Sequence, residues 1–321
     1  MLREGKFIKD NINRWEKYEI PTENPDELAE RFVNLVDDLS YSKTFYPGSQ
    51  TTKYINSIAA KQYLSIFKNK KEDYKRIFDV WTIDIPLIVA ENKKLFRWIF
   101  IFFCCTVALG VYASYNQPSF IRSFLGDGYV DMTEKNIANG TPFNVYASED
   151  SFEMFIRIAA NNISVAFKTF VSGLGFGLLT LGMLFYNGVL LGAFESIFFQ
   201  HHLGIASILT IMIHGTLELW SILVAGVAGM MMGNAILYPG TYTRLQALQK
   251  QAKKATKLIL SIVPNFILAA IFESYVTRHS DISIWLNALI LVCFVVLISW
   301  YYGYYPSVVA KKMQAKGGRE V

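Results

Sequence analysis

The feature that most constrains this chain is a series of apolar runs, beginning at Leu95, that are long enough to be membrane-spanning helices. An α-helix needs about 20 predominantly apolar residues to cross a bilayer. Charged residues make up only 18% of the chain, below the roughly one quarter that is typical of soluble domains. The sequence therefore predicts an all-α, polytopic helical membrane bundle in contact with the lipid bilayer. The runs cover residues 95–115, 170–199, 205–237, 261–276 and 284–304.

Residues 1–94 have a different composition and resemble an ordinary soluble domain. They hold 16 of the 31 basic residues and 15 of the 26 acidic residues, so this part of the chain has almost no net charge. Phe7, Ile12, Trp15 and Tyr18 recur at helical spacing. This pattern predicts an N-terminal helical domain over residues 1–94.

Basic residues predict the orientation of the chain. Lys93, Lys94 and Arg97 flank the first apolar run, so the positive-inside rule places the N-terminus in the cytoplasm. Residues 116–165 carry an acidic excess and are predicted to form an extracytoplasmic loop, whose end, from 152 to 166, has the pattern of an amphipathic helix lying in the membrane interface. The resulting division is a cytoplasmic domain over 1–94, a transmembrane domain over 95–310 and a basic cytoplasmic tail over 311–321.

The run at 170–199 decides the number of membrane segments. If both termini are cytoplasmic, this run must cross an even number of times. The dipeptide Asn187-Gly188 is a strong turn pattern, so two helices meeting near Asn187 are expected, either as two crossings or as a re-entrant pair. This gives about six membrane segments. One long tilted helix over the whole run is the alternative.

Small residues four positions apart form three GxxxG patterns. Such residues allow helices to approach closely within a membrane. Packing within the chain and a homodimer contact are both predicted for them. The residues are Gly173, Gly177, Gly188, Gly192, Gly229 and Gly233, with Ala225 extending the last pattern.

A few ionisable and amide side chains lie at membrane depth. His214 and Glu218 are four residues apart and share a helix face, and Asn187 and Glu195 lie in the preceding run. Buried ionisable residues in membranes are costly and usually paired. Three roles remain open for them: contacts between helices, a conduit or substrate site, or a metal or catalytic site completed by His201 or His202. A functional role for the site predicts that Glu218→Gln leaves the protein folded but impairs its function.

Several other functions have no pattern to support them. The chain contains no HExxH or GxSxG motif, no nucleotide-binding loop and no dinucleotide fingerprint. No cofactor and no metal are therefore predicted. The basic residues are explained by membrane orientation rather than by binding to nucleic acid.

The stretch from 161 to 233 resembles the stage II sporulation protein M family, and the resemblance extends more loosely to most of the chain. It is carried by Asn161-Asn162, Gly175-Phe-Gly177, Asn187-Gly188-Val-Leu-Leu-Gly192, His214-Gly215-Thr-Leu-Glu218 and Ala225-Gly226-Val-Ala-Gly229. The resemblance implies a membrane scaffold of the bacterial cell envelope that works beside cell-wall hydrolases. It also implies, as a partner, an AAA-type ATPase of the MoxR kind.

The sequence as a whole predicts a non-enzymatic scaffold of the bacterial inner membrane, homodimeric, that recruits other membrane or envelope proteins. The alternative is a permease, or the membrane subunit of an ATP-driven transporter, with its polar site at His214 and Glu218. An intramembrane hydrolase is a third hypothesis. A permease requires a wet cavity that reaches these two residues, whereas a scaffold requires them to be packed against neighbouring helices.

Overall fold

The computed structural model describes residues 4–22, 24–67, 75–143, 151–277 and 284–315. These residues are helical apart from short turns, and the described part contains no β-strand. The chain divides into two compact units, Met1–Arg76 and Ile77–Val321.

The first unit is built from α1 (Glu4–Glu19), α2 (Pro25–Phe45) and α3 (Gln50–Phe67). Helix α2 begins where the sequence favours it, because the Asn24 side chain accepts a hydrogen bond from the backbone of Asp26 and Pro25 occupies the first turn. Trp15 of α1 is fully buried in the core of the unit, and its indole Nε1 donates to Asp38 Oδ2 of α2 over 2.7 Å.

The second unit contains the long apolar helices, and it confirms the predicted all-α membrane bundle. Five helical stretches in the described residues are long and apolar enough to span a bilayer: Lys93–Asn116, Leu178–Gln200, Gly204–Leu237, Arg244–Tyr275 and Ile284–Ala315. The helices are α4 (Lys75–Asp79, which begins in the first unit), α5 (Ile85–Glu91), α6 (Lys93–Asn116), α7 (Pro118–Leu125), α8 (Asp127–Ala138), α9 (Ser151–Val171), α10 (Leu178–Gln200), α11 (Gly204–Leu237), α12 (Arg244–Ile271), α13 (Ile284–Ile298) and α14 (Tyr305–Ala315), with π-helical turns at Val80–Asp84, Phe272–Thr277 and Ser299–Tyr304.

The predicted pair of helices meeting near Asn187 is wrong, because α10 runs through this position without a break. The Asn187 side chain donates to the Met183 carbonyl of its own helix over 2.8 Å. Gly188 lies against Thr106 of α6, where a larger side chain would clash. The chain turns earlier, at Ser172–Leu174 and the following residues, where Gly177 has a φ of 79° that glycine adopts easily.

Contacts between the helices give their relative directions in the bundle. Gly188 lies against Thr106 and Gly192 against Val107 and Val111, so α10 runs parallel to α6. Helix α11 returns antiparallel to α10, and Gly226 of α11 lies against Leu184 of α10.

Helix α9 makes a further pass through the bundle, although it is not among the five stretches apolar enough to span a bilayer. Asn162 lies beside Glu218, and Gly173, just after α9, lies beside Gly229, so α9 runs parallel to α11 and antiparallel to α6. It is 21 residues long and packs on α11 and α12. The amphipathic segment predicted to lie in the interface is therefore part of the bundle.

The pass made by α9 is open to a direct test in a variant whose native cysteines, Cys104, Cys105 and Cys293, have been replaced by serine. We expect single cysteines at Ser151 and Leu174, at the two ends of α9, to react with a membrane-impermeant maleimide from opposite sides of sealed vesicles. A cysteine at Thr241, between α11 and α12, should react from the same side as Leu174→Cys. Labelling of both ends of α9 from one side would contradict the assignment.

Residues 77–94 belong to the membrane unit, so the compact units divide earlier than the predicted boundary at residue 94. Lys257 of α12 contacts Asp84 over 2.6 Å, and Tyr301 donates to the carbonyl of Trp81 over 2.7 Å. Both ends of the unit therefore lie at the same end of the bundle. Of the predicted loop and tail, residues 144–150 and 316–321 lie outside the described residues.

Helices α7 and α8 form a small layer in the predicted loop at 116–165. Ile121 of α7 and Val130 of α8 are buried against Ile197 near the end of α10. Arg122 holds the two helices together, because its guanidinium contacts Asp131 over 2.6 Å and also reaches Glu134. The hydrogen bond that Arg122 donates to Asp131, together with the negative charges of Asp131 and Glu134, raises the pKa of Arg122 above its usual value. The layer covers the C-terminal end of α10.

Candidate functional site

Two of the predicted polar residues lie together where α9, α11 and the end of α12 meet. Glu218 and His214 occupy successive turns of α11 on one face, as their spacing predicts. Glu218 Oε1 accepts a hydrogen bond from Asn162 Nδ2 of α9 over 2.5 Å. His214 Nε2 lies 3.9 Å from Glu273 Oε2, in the π-helical turn after α12.

These four residues, together with Arg157 of α9, form what we call the polar cluster. Arg157 attracts Glu273, whereas Glu273 and Glu218 repel each other when both are charged. The side chains of His214 and Glu273 are only 11% and 19% exposed. Charges held in such surroundings need partners, because removing them from water is costly. The cluster supplies these partners from three different helical segments.

The polar contacts continue from the cluster along α11 towards α13. Asn265 of α12 donates to Ser221 Oγ over 3.3 Å, one turn beyond Glu218. Ser261 Oγ lies 3.4 Å from the hydroxyl of Tyr302. His214 Nδ1 is one of several buried side-chain atoms in the described residues that have no hydrogen-bond partner. The row of polar contacts ties α11 to α12 and α12 to the turn after α13.

The other two predicted polar residues lie elsewhere. Glu195 is buried near the end of α10, where its Oε2 accepts a hydrogen bond from Ser207 of α11 over 2.9 Å. Asn187 is bonded within its own helix. The four residues predicted as one polar site thus divide, with only His214 and Glu218 in the polar cluster.

The sequence alone pointed only weakly to the partners of His214 and Glu218. Asn162 is visible in it as a polar residue beside an apolar run, and Glu273 as an acidic residue near the end of a crossing. Nothing in their spacing links them to α11, because they lie 56 and 59 residues from their partners. Their contact depends on helices that are far apart in the chain.

The candidate ligands for a metal do not assemble around this site. His201 and His202 lie exposed in the turn between α10 and α11. Among the residues that the structure describes, no group of three or more His, Cys, Asp or Glu side chains is arranged to hold a metal ion.

The glycines of the three GxxxG patterns lie against segments of the same chain. A Cβ added to Gly192 would lie 2.3 Å from the Val107 carbonyl oxygen of α6. One added to Gly173 would lie 2.1 Å from the Gly229 carbonyl oxygen, and one added to Gly233 would lie 2.5 Å from the Gly177 backbone nitrogen. These contacts have the close approach that packing within the chain predicts, and the homodimer contact stays a prediction.

Residues 99–278 match the family model described as Stage II sporulation protein M, which covers more than half of the chain. The chain belongs to this family. The matched region runs from the first turns of α6 to the π-helical turn after α12, so the family region contains the whole polar cluster of this stage II sporulation protein M family member.

A second match shows that the first unit has a separate relationship. Residues 5–68, which contain nearly all of α1 to α3, match a model described as Domain of unknown function (DUF8413). From sequence, the family resemblance extends loosely over the N-terminal region, but this region matches a different domain. No curated protein and no solved structure matches the chain significantly.

Proposed function

We propose that this stage II sporulation protein M family protein is a non-enzymatic scaffold of the bacterial inner membrane, which recruits proteins that act on the cell envelope. The observation that carries the proposal is the packing of the polar cluster. Asn162 of α9 donates a hydrogen bond to Glu218 of α11, and His214 of α11 lies 3.9 Å from Glu273 after α12. Such contacts hold helices in a defined arrangement, which is what a scaffold requires.

The position of Glu218 supports a structural role over chemistry at this residue. Its Oε1 is occupied by the amide of Asn162, and its neighbours His214 and Glu273 are largely buried. Hydrogen bonds between membrane helices contribute about 0.6–2 kcal/mol each. The bond between Asn162 and Glu218 helps to keep α9 against α11 although α9 carries Arg157, Asn161 and Lys168.

Two parts of the chain are suited to partner proteins on opposite sides of the membrane. The first unit has its own buried core and its own family match, so we assign it to a cytoplasmic partner, with a MoxR-type AAA ATPase as the candidate. The layer of α7 and α8 is assigned to an envelope partner outside. Basic residues of α12, among them Lys254 and Lys257, support a cytoplasmic position for that end of the bundle. A homodimer is part of this proposal.

Substitutions at Glu218 separate the scaffold from a transporter. Glutamine keeps an oxygen that can accept from Asn162, so we expect Glu218→Gln to fold normally and to restore the wild-type phenotype in a bacterium that lacks the gene. Glu218→Leu leaves the Asn162 amide without its acceptor, which costs about 1–3 kcal/mol. We therefore expect Glu218→Leu to lower the apparent melting temperature and to complement poorly.

A matched pair of variants serves as the control. Asn162→Leu should be as destabilising as Glu218→Leu, and the double variant should cost less than the sum of the two, because both remove the same contact. Crosslinking in cells should capture a defined envelope protein equally well with wild-type protein and with Glu218→Gln. A folded Glu218→Gln protein that fails to complement would overturn the proposal, because its carboxylate would then be needed for function.

A further inference from the structure

A crevice with a volume of about 630 Å³ lies between the beginning of α6, the middle of α11 and the π-helical turn after α13. Its walls are largely apolar, with Phe96 and Phe100 contributed by α6, Trp220 by α11 and Ile298 by α13. Lys93 and Arg97 line the same crevice, one turn apart on α6. The volume falls within the range of about 300–1,000 Å³ that is usual for small-molecule sites.

The shape of the crevice follows from the local backbone. After α13 the chain widens into the π-helical turn Ser299–Tyr304, which includes Gly303. A Cβ added to Gly303 would meet no atom within 4 Å, so this side of the crevice is open. Phe100 and Ile101, on the opposite side, are about half exposed on the surface of an apolar helix. The crevice therefore opens towards the region that lipid occupies around the bundle.

The two cations at the crevice have no acidic partner within the described ranges. Lys93 donates to Ser307 Oγ of α14 over 2.5 Å, and neither Lys93 nor Arg97 forms an ion pair with a described carboxylate. Arg97 is exposed. A pair of basic side chains above an apolar crevice is complementary to a molecule with an anionic head and a hydrocarbon chain.

The position of the crevice along the bundle indicates that such a molecule would be a lipid of the cytoplasmic leaflet. Lys93 begins the first apolar helix, at the end of the bundle where α5, α14 and the basic start of α12 meet. Basic residues mark the cytoplasmic side of membrane proteins. The cytoplasmic leaflet is rich in anionic lipid, and basic pockets between helices on that side bind phosphate head groups.

We propose that this crevice is a binding site for one anionic phospholipid, whose phosphate is held by Lys93 and Arg97 and whose acyl chain lies against Phe96, Phe100 and Trp220. The site is separate from the polar cluster and does not depend on the scaffold role. Part of the crevice lies outside the region matched by the family, since Lys93, Phe96, Arg97 and the turn after α13 fall beyond residues 99–278.

The test measures retained lipid by native mass spectrometry of the full-length protein in detergent, titrated with phosphatidylglycerol or with phosphatidylcholine. We expect one phosphatidylglycerol per chain to be retained at concentrations at which phosphatidylcholine is not. Lys93→Gln and Arg97→Gln should each weaken this binding about fivefold, the effect expected for one basic residue near an anionic head group. Gly303→Trp should displace the acyl chain and weaken binding at least as much.

Lys94→Gln is the matched control, because it removes the same charge from the neighbouring residue, which does not line the crevice. Binding by Lys94→Gln should equal that of the wild type. An equal loss with Lys94→Gln, equal retention of both lipids, or unchanged binding in Gly303→Trp would each overturn the proposal. Competition by inorganic phosphate at millimolar concentration would also overturn it, because the head group alone would then account for binding. Each variant must have the melting temperature of the wild type, so that misfolding is not mistaken for loss of the site.

Discussion

Gly192→Ala should destabilise the membrane unit strongly, whereas the same change at Gly182 in the same helix should not. The new Cβ of Gly192→Ala would lie 2.3 Å from the Val107 carbonyl oxygen and 2.8 Å from the Val111 backbone nitrogen. Because both atoms belong to the backbone of α6, no side-chain rotation can relieve the contact. Helices α6 and α10 must move apart, and overpacking of this kind costs about 1–3 kcal/mol and occasionally more.

Gly182 provides the control within α10, because a Cβ added there meets no atom within 4 Å. Alanine is favoured over glycine in a helix by about 0.5–1 kcal/mol, so Gly182→Ala should be neutral or slightly stabilising. The apparent melting temperature in detergent, followed by size-exclusion chromatography, measures both variants. Equal melting temperatures for the two variants would show that the close contact between α6 and α10 is not present in solution.

Trp15→Ala should unfold the first unit and leave the membrane unit intact. Trp15 is fully buried and bonded to Asp38, and removal of such a side chain costs about 3–5 kcal/mol. A domain of this size has only about 0.05–0.15 kcal/mol of stability per residue. The loss is therefore comparable to the whole stability of the unit.

Limited proteolysis of the full-length protein in detergent checks this expectation. In Trp15→Ala, cleavage should become rapid within residues 1–76, while a fragment that contains α5 to α14 should persist. Leu64→Ala is the control, because Leu64 lies on α3 with 65% of its surface exposed and should leave the digestion unchanged. Parallel loss of both units in Trp15→Ala would mean that the two units do not unfold independently.

The apolar runs predicted the membrane helices well, because a long uncharged segment has few alternatives to a buried or spanning helix. The pairing of His214 and Glu218 on one face also followed from local spacing. The Asn187-Gly188 pattern failed because a turn dipeptide states only what the local backbone can adopt. In this helix the amide of Asn187 is satisfied by Met183, and Gly188 provides the space that Thr106 requires.

The amphipathic helix predicted over 152–166 corresponds to α9, but its place within the bundle was not predicted. Arg157, Asn161, Asn162 and Lys168 lower its hydropathy, so its pattern indicated an interfacial helix. Asn162 and Arg157 instead reach polar partners on α11 and after α12. A helix that carries such residues can lie within a bundle only if distant segments supply the partners. Periodicity in a single sequence carries no information on contacts of this length.

The contacts that join the two ends of the membrane unit have a consequence for how the protein is made. Tyr301 and Tyr305 donate to the carbonyls of Trp81 and Thr82, across 220 and 223 residues of chain. Lys93 reaches Ser307 across 214 residues. Contacts between residues so distant in sequence form late. During synthesis Trp81, Thr82 and Lys93 must therefore remain without these partners until the last helix has left the ribosome. A nascent chain stopped before residue 301 would contain every earlier helix but none of these contacts.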